Sequence, residues 1–91
     1  MNYDYTRYYL RGWLLHFFGF RETALDAYAR AFKANPKSAR AARHLAAIAA
    51  EKKELVASAR WFETVVELEP GDGNSWFNLG FVRDAAGRKT E

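Results

Sequence analysis

The stretch Trp76-Phe77-Asn78-Leu79-Gly80 has two counterparts upstream, Ala42-Arg43-His44-Leu45-Ala46 and Tyr8-Tyr9-Leu10-Arg11-Gly12, at successive steps of 34 residues. Working outward, the same step carries Pro36 onto Pro70, Tyr28 onto Phe62, Ala31 onto Val65 and Ala24 onto Ser58. Gly19, Lys53 and Gly87 share one column, where a tight turn is expected. A fixed period of this size marks stacked supersecondary units, each burying its apolar face against its neighbours.

Each period holds two helices. Residues 6–18 contain no proline, and their large side chains form two rows at helical spacing. One row is Tyr9, Trp13 and Phe17; the other is Tyr8, Leu15 and Phe18, which is expected in the core. Residues 22–34 carry Leu25, Tyr28, Ala31 and Phe32 at the same spacing, and Asn35-Pro36 stops that helix. Ser38 is placed to cap a third helix over residues 39–50. Lys52, Lys53 and Glu54 form the next turn. A fourth helix over residues 55–68 points Trp61, Phe62, Val65 and Leu68 inward. Asp72 or Asn74 caps a fifth helix running to about residue 86, with Gly87 closing it at C′.

Trp76-x₂-Leu79-Gly80, together with the columns of Ala24, Tyr28, Ala31 and Pro36, resembles the tetratricopeptide repeat. The resemblance covers residues 5–91. It divides a single domain, 1–91, into repeat one (about 5–38), repeat two (about 39–72) and half of repeat three (about 73–91). It implies an all-α fold: antiparallel helix–turn–helix repeats stacked as a short right-handed superhelix, an α-solenoid of about five helices. Arg11 stands where the family usually has leucine, and Arg83 where it usually has an aromatic. Ala42, Ala46 and Ala49 at signature positions of repeat two imply close helix approach.

In this family the first helices of successive repeats line a concave groove. Carried onto this sequence, the groove positions are Tyr9, Trp13, His16 and Phe17, then Arg40, Arg43, Ala47 and Ala50, then Asn74, Phe77, Asn78, Phe81 and Asp84. The candidate partner-binding residues are Tyr9, Trp13, Phe17, Arg40, Arg43, Asn74, Phe77 and Phe81. They describe an aromatic, arginine-edged surface suited to a peptide or helix with apolar anchors and a carboxylate. Alternatively, Trp13 and Phe17 pack against Ala47 or into a dimer seam, and Arg40 and Arg43 are solvated. One subset of the family grips C-terminal carboxylates with lysines and asparagines. The matching positions here are Tyr9, Trp13, His44, Asn74 and Asn78, of which only the asparagines fit, so such a clamp is not expected.

Composition bounds the remaining possibilities. A chain of 91 residues makes about one small domain. Its 49% apolar and 27% charged residues argue for a folded soluble chain. There is no cysteine, so disulfides and thiolate metal sites are excluded. Two histidines alone do not make a structural zinc site. Gly71-Asp72-Gly73 lacks the strand and lysine of a phosphate loop. No acid–base or nucleophile constellation surrounds His16, His44, Ser58 or Ser75. The expectation is therefore a non-catalytic protein, with no cofactor and no metal.

Charge is uneven. Residues 1–50 hold eight Lys or Arg against three Asp or Glu, whereas residues 51–91 hold six against eight. Arg30, Lys33, Lys37, Arg40 and Arg43 follow one another without an acid between, a candidate basic strip. The net charge of +3 and the lack of a recognition motif leave no expectation of nucleic-acid binding. No secretory signal opens the chain, and the apolar run over residues 10–20 is broken by Arg11, Gly12, His16 and Gly19. A cytoplasmic location follows as the expectation. Ten of the fifteen aromatic residues lie in the first 32 positions. Both terminal helices are therefore expected to expose apolar patches, which mark interfaces. The expected partner is a protein or peptide, or a second copy in a homodimer formed through the terminal helices. The alternative is a small structural subunit docked permanently in a larger assembly, at a membrane or away from one. A membrane surface is a secondary expectation, since the first helix mixes Tyr, Trp, Phe and Leu with Arg7 and Arg11.

Overall fold

Turn residues and caps set the element boundaries. The computed structural model describes residues 3–90, and side chains to residue 88. Five helices follow in order: α1 (Tyr3–Phe17), α2 (Arg21–Ala34), α3 (Ala39–Glu51), α4 (Leu55–Leu68) and α5 (Gly73–Thr90). There is no strand among the described residues. Asn35 ends α2, its N–H donating to the carbonyl of Ala31. The Ser38 hydroxyl accepts from the N–H of Ala41 and starts α3. The Asp72 carboxylate does the same for Ser75 at 3.1 Å and starts α5.

The turns after α1 and α3 share one backbone device. Gly19 and Lys53, 34 residues apart, both take the left-handed region, with φ of +87° and +64°. Glycine enters that region freely, while lysine is strained there. The third member of the column behaves otherwise. Gly87 was the expected end of the last helix, but α5 runs through it to Thr90. Its φ is not positive, and Arg88 pairs with Asp84 one turn back at 3.0 Å, supporting the continued helix.

Consecutive helices pack on one another, α1 on α2, α2 on α3, α3 on α4 and α4 on α5. The result measures 43 × 29 × 17 Å, a slab about two helices thick. An all-α stack of helical hairpins is thus the observed architecture. Gly12, the buried residue of α1, sets the first crossing: a Cβ built on it would stand 2.9 Å from Cγ of Tyr28. One period later Ala46 occupies the equivalent place. Its carbonyl accepts a hydrogen bond of 2.8 Å from the Ser58 hydroxyl, and it packs in one cluster with Phe62.

Two apolar clusters form the core. One joins Ala24, Tyr28, Leu45 and Ile48, and the other Ala46, Phe62, Val66, Leu79 and Val82. Trp61 packs against both, its ring edge-on to Phe32 at 5.2 Å. Alanine at eight buried positions of α2 and α3 lets the helices approach closely. The row Tyr8, Leu15, Phe18 is less buried than expected. Tyr8 and Leu15 are half-buried, and Phe18 is 68% exposed. Each step of three residues rotates about 60° around a helix, which carries Phe18 past the packed face. It lies beyond the end of α1, edge-on to Phe17 at 5.2 Å.

Candidate functional site

α3 has two unlike faces. Ala42, Leu45, Ala46 and Ala49 turn into the core, while Arg40, Arg43, His44 and Ala47 follow one another along the other side. α5 repeats the division. Ser75, Leu79 and Val82 are buried, and Asn74, Asn78 and Phe81 lie on a neighbouring face at i, i+4, i+7. Between these two faces runs a groove. Its upper part is a cavity of about 780 Å³ reached by Arg40, Arg43, His44, Ala47, Asn74 and Asn78, with Glu69 and Asp72 at one wall. Its lower part is a cavity of about 500 Å³ bounded by Ala47, Ala50, Leu55, Phe81, Val82 and Ala85. Ala47, Phe62 and Asn78 belong to both, so the two adjoin over a floor of alanine and phenylalanine.

Arg43 is committed within the groove wall. Both terminal nitrogens donate to Glu69 Oε1 at 3.1 Å, and Nη1 also reaches Asp72 Oδ2 at 3.4 Å. Asp72 in turn accepts from the Ser75 hydroxyl at 2.8 Å and from its N–H. These two Ser75 bonds, with Arg43 beside them, hold the Asp72 carboxyl below its ordinary range. Arg43 therefore ties α3 to the loop before α5. Arg40 makes no ion pair among the described residues; it lines the cavity and its side chain neighbours the Tyr9 hydroxyl.

His44 sits where three helices meet. Its ring stacks on Tyr28 at 4.6 Å and 3°, and its Nε2 shares a hydrogen bond of 2.9 Å with the Tyr9 hydroxyl. Burial, then the charges of His16, Arg40 and Arg43, push its pKa below the ordinary histidine value. Burial likewise raises that of Tyr9. The Tyr28 hydroxyl is buried with no hydrogen-bond partner among the described residues, and burial followed by its neighbours Tyr9 and Tyr5 pushes its pKa up to about 12.

Of the candidate residues, the structure brings Arg40, Arg43, Asn74 and Phe81 into the groove. Tyr9 closes its edge by packing against His44. Trp13 and Phe17 stand outside both cavities, stacked on each other at 5.8 Å and 17°. Phe77 also lies outside, 72% exposed. His16 is tied to Glu51, at 3.1 and 3.2 Å from its two oxygens, and Arg21 reaches Oε1 of the same carboxylate at 3.3 Å. The basic strip is divided: Arg30 pairs with Asp26 beside Tyr8, Arg43 with the acids of the groove wall. Sequence reasoning missed Phe62 as floor and Glu69 as wall. Glu69 directly precedes Pro70, but only the fold shows that this loop meets Arg43.

No family model matches this chain, and comparison with curated proteins gives no match either.

Proposed function

We propose that the chain is a non-catalytic protein-interaction module of the tetratricopeptide type, acting in the cytoplasm, that holds a peptide or helix in the α3–α5 groove. The observation that carries this reading is the groove itself. An apolar floor of Ala47, Ala50 and Phe62 accepts side chains, while Asn74, Asn78 and Arg40 converge above it with hydrogen-bonding groups for a backbone or a carboxylate. The repeat reading is supported by packing that recurs one period apart: Gly12 against Tyr28, then Ala46 beside Phe62, with the Gly19 and Lys53 turns between helices.

Ala47 is exposed on the groove floor, so Ala47→Glu is expected to leave the helical spectrum and melting temperature unchanged. Against a peptide selected from a random library, the same variant is expected to lose at least tenfold in affinity by fluorescence polarisation, because a carboxylate is buried under the ligand. A selected peptide that binds Ala47→Glu as tightly as wild type would exclude the groove as its site.

A second reading is favoured by the outer face of α5. Gly80 occupies the column of Gly12, yet nothing lies within 4 Å of a Cβ built there. Trp76 and Phe77 beside it are largely exposed. This face suits a permanent partner in a larger assembly, or a second copy. Light scattering over a dilution series separates the cases. A stable mass near 10.4 kDa leaves the groove reading, and a dimer that survives dilution favours the second.

A further inference from the structure

α1 turns an apolar stripe to solvent. Tyr3, Leu10, Leu14 and Phe17 fall within a sector of about 60° on its wheel, at about 100° per residue. That sector lies opposite Gly12, which packs on α2. The four are 71%, 56%, 50% and 71% exposed. A helix that only packs on its own protein places polar residues there.

The flanks of the stripe are specific. On one side stand Arg7 and Arg11, which with Leu10 and Leu14 line a cavity of about 550 Å³. On the other stands Trp13, half exposed. Behind the arginines, the guanidinium carbons of Arg7, Arg11 and Arg30 lie 4.7, 5.6 and 5.7 Å from the centre of the Tyr8 ring. The nearby acids are already used, Asp4 by Arg7 and Asp26 by Arg30. Arg11 makes no ion pair among the described residues.

We propose that this face of α1 docks on an anionic bilayer surface. Leucine and phenylalanine enter the acyl boundary, tyrosine and tryptophan sit at headgroup level, and arginine meets lipid phosphates. No helix among the described residues is long and apolar enough to cross a membrane, so the contact is peripheral. A second copy fits this face less well. An antiparallel two-fold contact across α1 brings the Arg7 and Arg11 flanks of both copies to the same side, and the stripe offers no acid to offset them. The proposal is independent of the groove reading, since Tyr9 and His16 lie about 110–130° around α1 from the centre of the stripe.

Vesicle flotation of the whole chain tests it. Phosphatidylcholine vesicles containing phosphatidylserine are expected to carry the protein, vesicles of phosphatidylcholine alone much less, with binding falling as salt rises. Arg7→Gln with Arg11→Gln is expected to weaken binding roughly twenty-five-fold, about fivefold for each charge. Leu10→Ser with Leu14→Ser is expected to abolish it while the helical spectrum is kept, because both side chains are half exposed. Ala47→Glu leaves flotation unchanged, which separates this surface from the groove. Absence of flotation, or equal flotation on both vesicle types, overturns the proposal from wild-type protein alone. A dimer that Leu10→Ser with Leu14→Ser dissolves, without vesicle binding, also overturns it and assigns the face to self-contact.

Discussion

Tyr28 shows how one residue can hold a fold together at some expense. Its ring fills the crossing between α1 and α2, meets Tyr9 edge-on at 5.4 Å and stacks on His44. Its hydroxyl gains nothing from this position, being buried with no partner among the described residues. Leaving a hydroxyl unpaired costs about 1–3 kcal/mol, whereas phenylalanine keeps every ring contact. Tyr28→Phe is therefore expected to stabilise the protein by about 1 kcal/mol, read as a higher urea midpoint at unchanged slope. An unchanged or lower midpoint would mean that the hydroxyl has a partner in solution. The hydroxyl's chemistry was invisible in the sequence, where the same position read simply as a large core column.

At the scale of the helix, one repeat column takes two meanings. Gly12 and Gly80 are equivalent by sequence, and both interrupt helices that alanine would favour by about 1 kcal/mol. Gly12 lies against the Tyr28 ring, whose Cδ atoms stand 3.0 Å from the Cβ position, so added bulk forces α1 outward. Gly80 faces open space. Gly12→Ala is expected to destabilise by about 1–3 kcal/mol net, and Gly80→Ala to stabilise by up to about 1 kcal/mol. Thermal melts of the two variants check this, and equal shifts in one direction would refute the packing difference. Helix existence, the Ser38 cap and the Asn35 stop were legible, and the cap of α5 was narrowed to Asp72 or Asn74, because these depend on residues within one turn of each other. The end of α5 was not. Nothing local distinguishes a glycine that stops a helix from one carried within it, and Gly87 is carried through with an Asp84–Arg88 pair beside it.

For the whole molecule, the chief packing lies between helices consecutive in sequence, so stability is shared along the stack rather than around one centre. α3 is the most embedded, with packing to α2 and α4 and ties to α1 through Tyr9–His44 and His16–Glu51. Its amides are expected to exchange slowest with solvent, and those of α5 beyond Val82 fastest among the helices. Native-state hydrogen exchange reads this directly, and slowest protection in α1 or α5 would contradict the order. The same architecture explains the apolar surface. A slab about two helices thick has too little interior for fifteen aromatic side chains, and α1, the turn after it and α5 carry those left outside.

The sequence by itself determined that the chain is all-helical, that its period is 34 residues, and where the first four helices begin and end to within a few residues. Periodicity, caps and turn residues act locally, so they can be read locally. Only the tertiary structure decided which of the two cavity-lining arginines is ion-paired within the protein. Arg40 and Arg43 are alike in sequence, but Glu69 and Asp72 reach Arg43 alone. It also separated Tyr9, packed on His44, from Trp13 and Phe17 one and two turns on, which remain outside the groove. A side chain's role there depends on partners 26 to 35 residues away, brought near by helix packing.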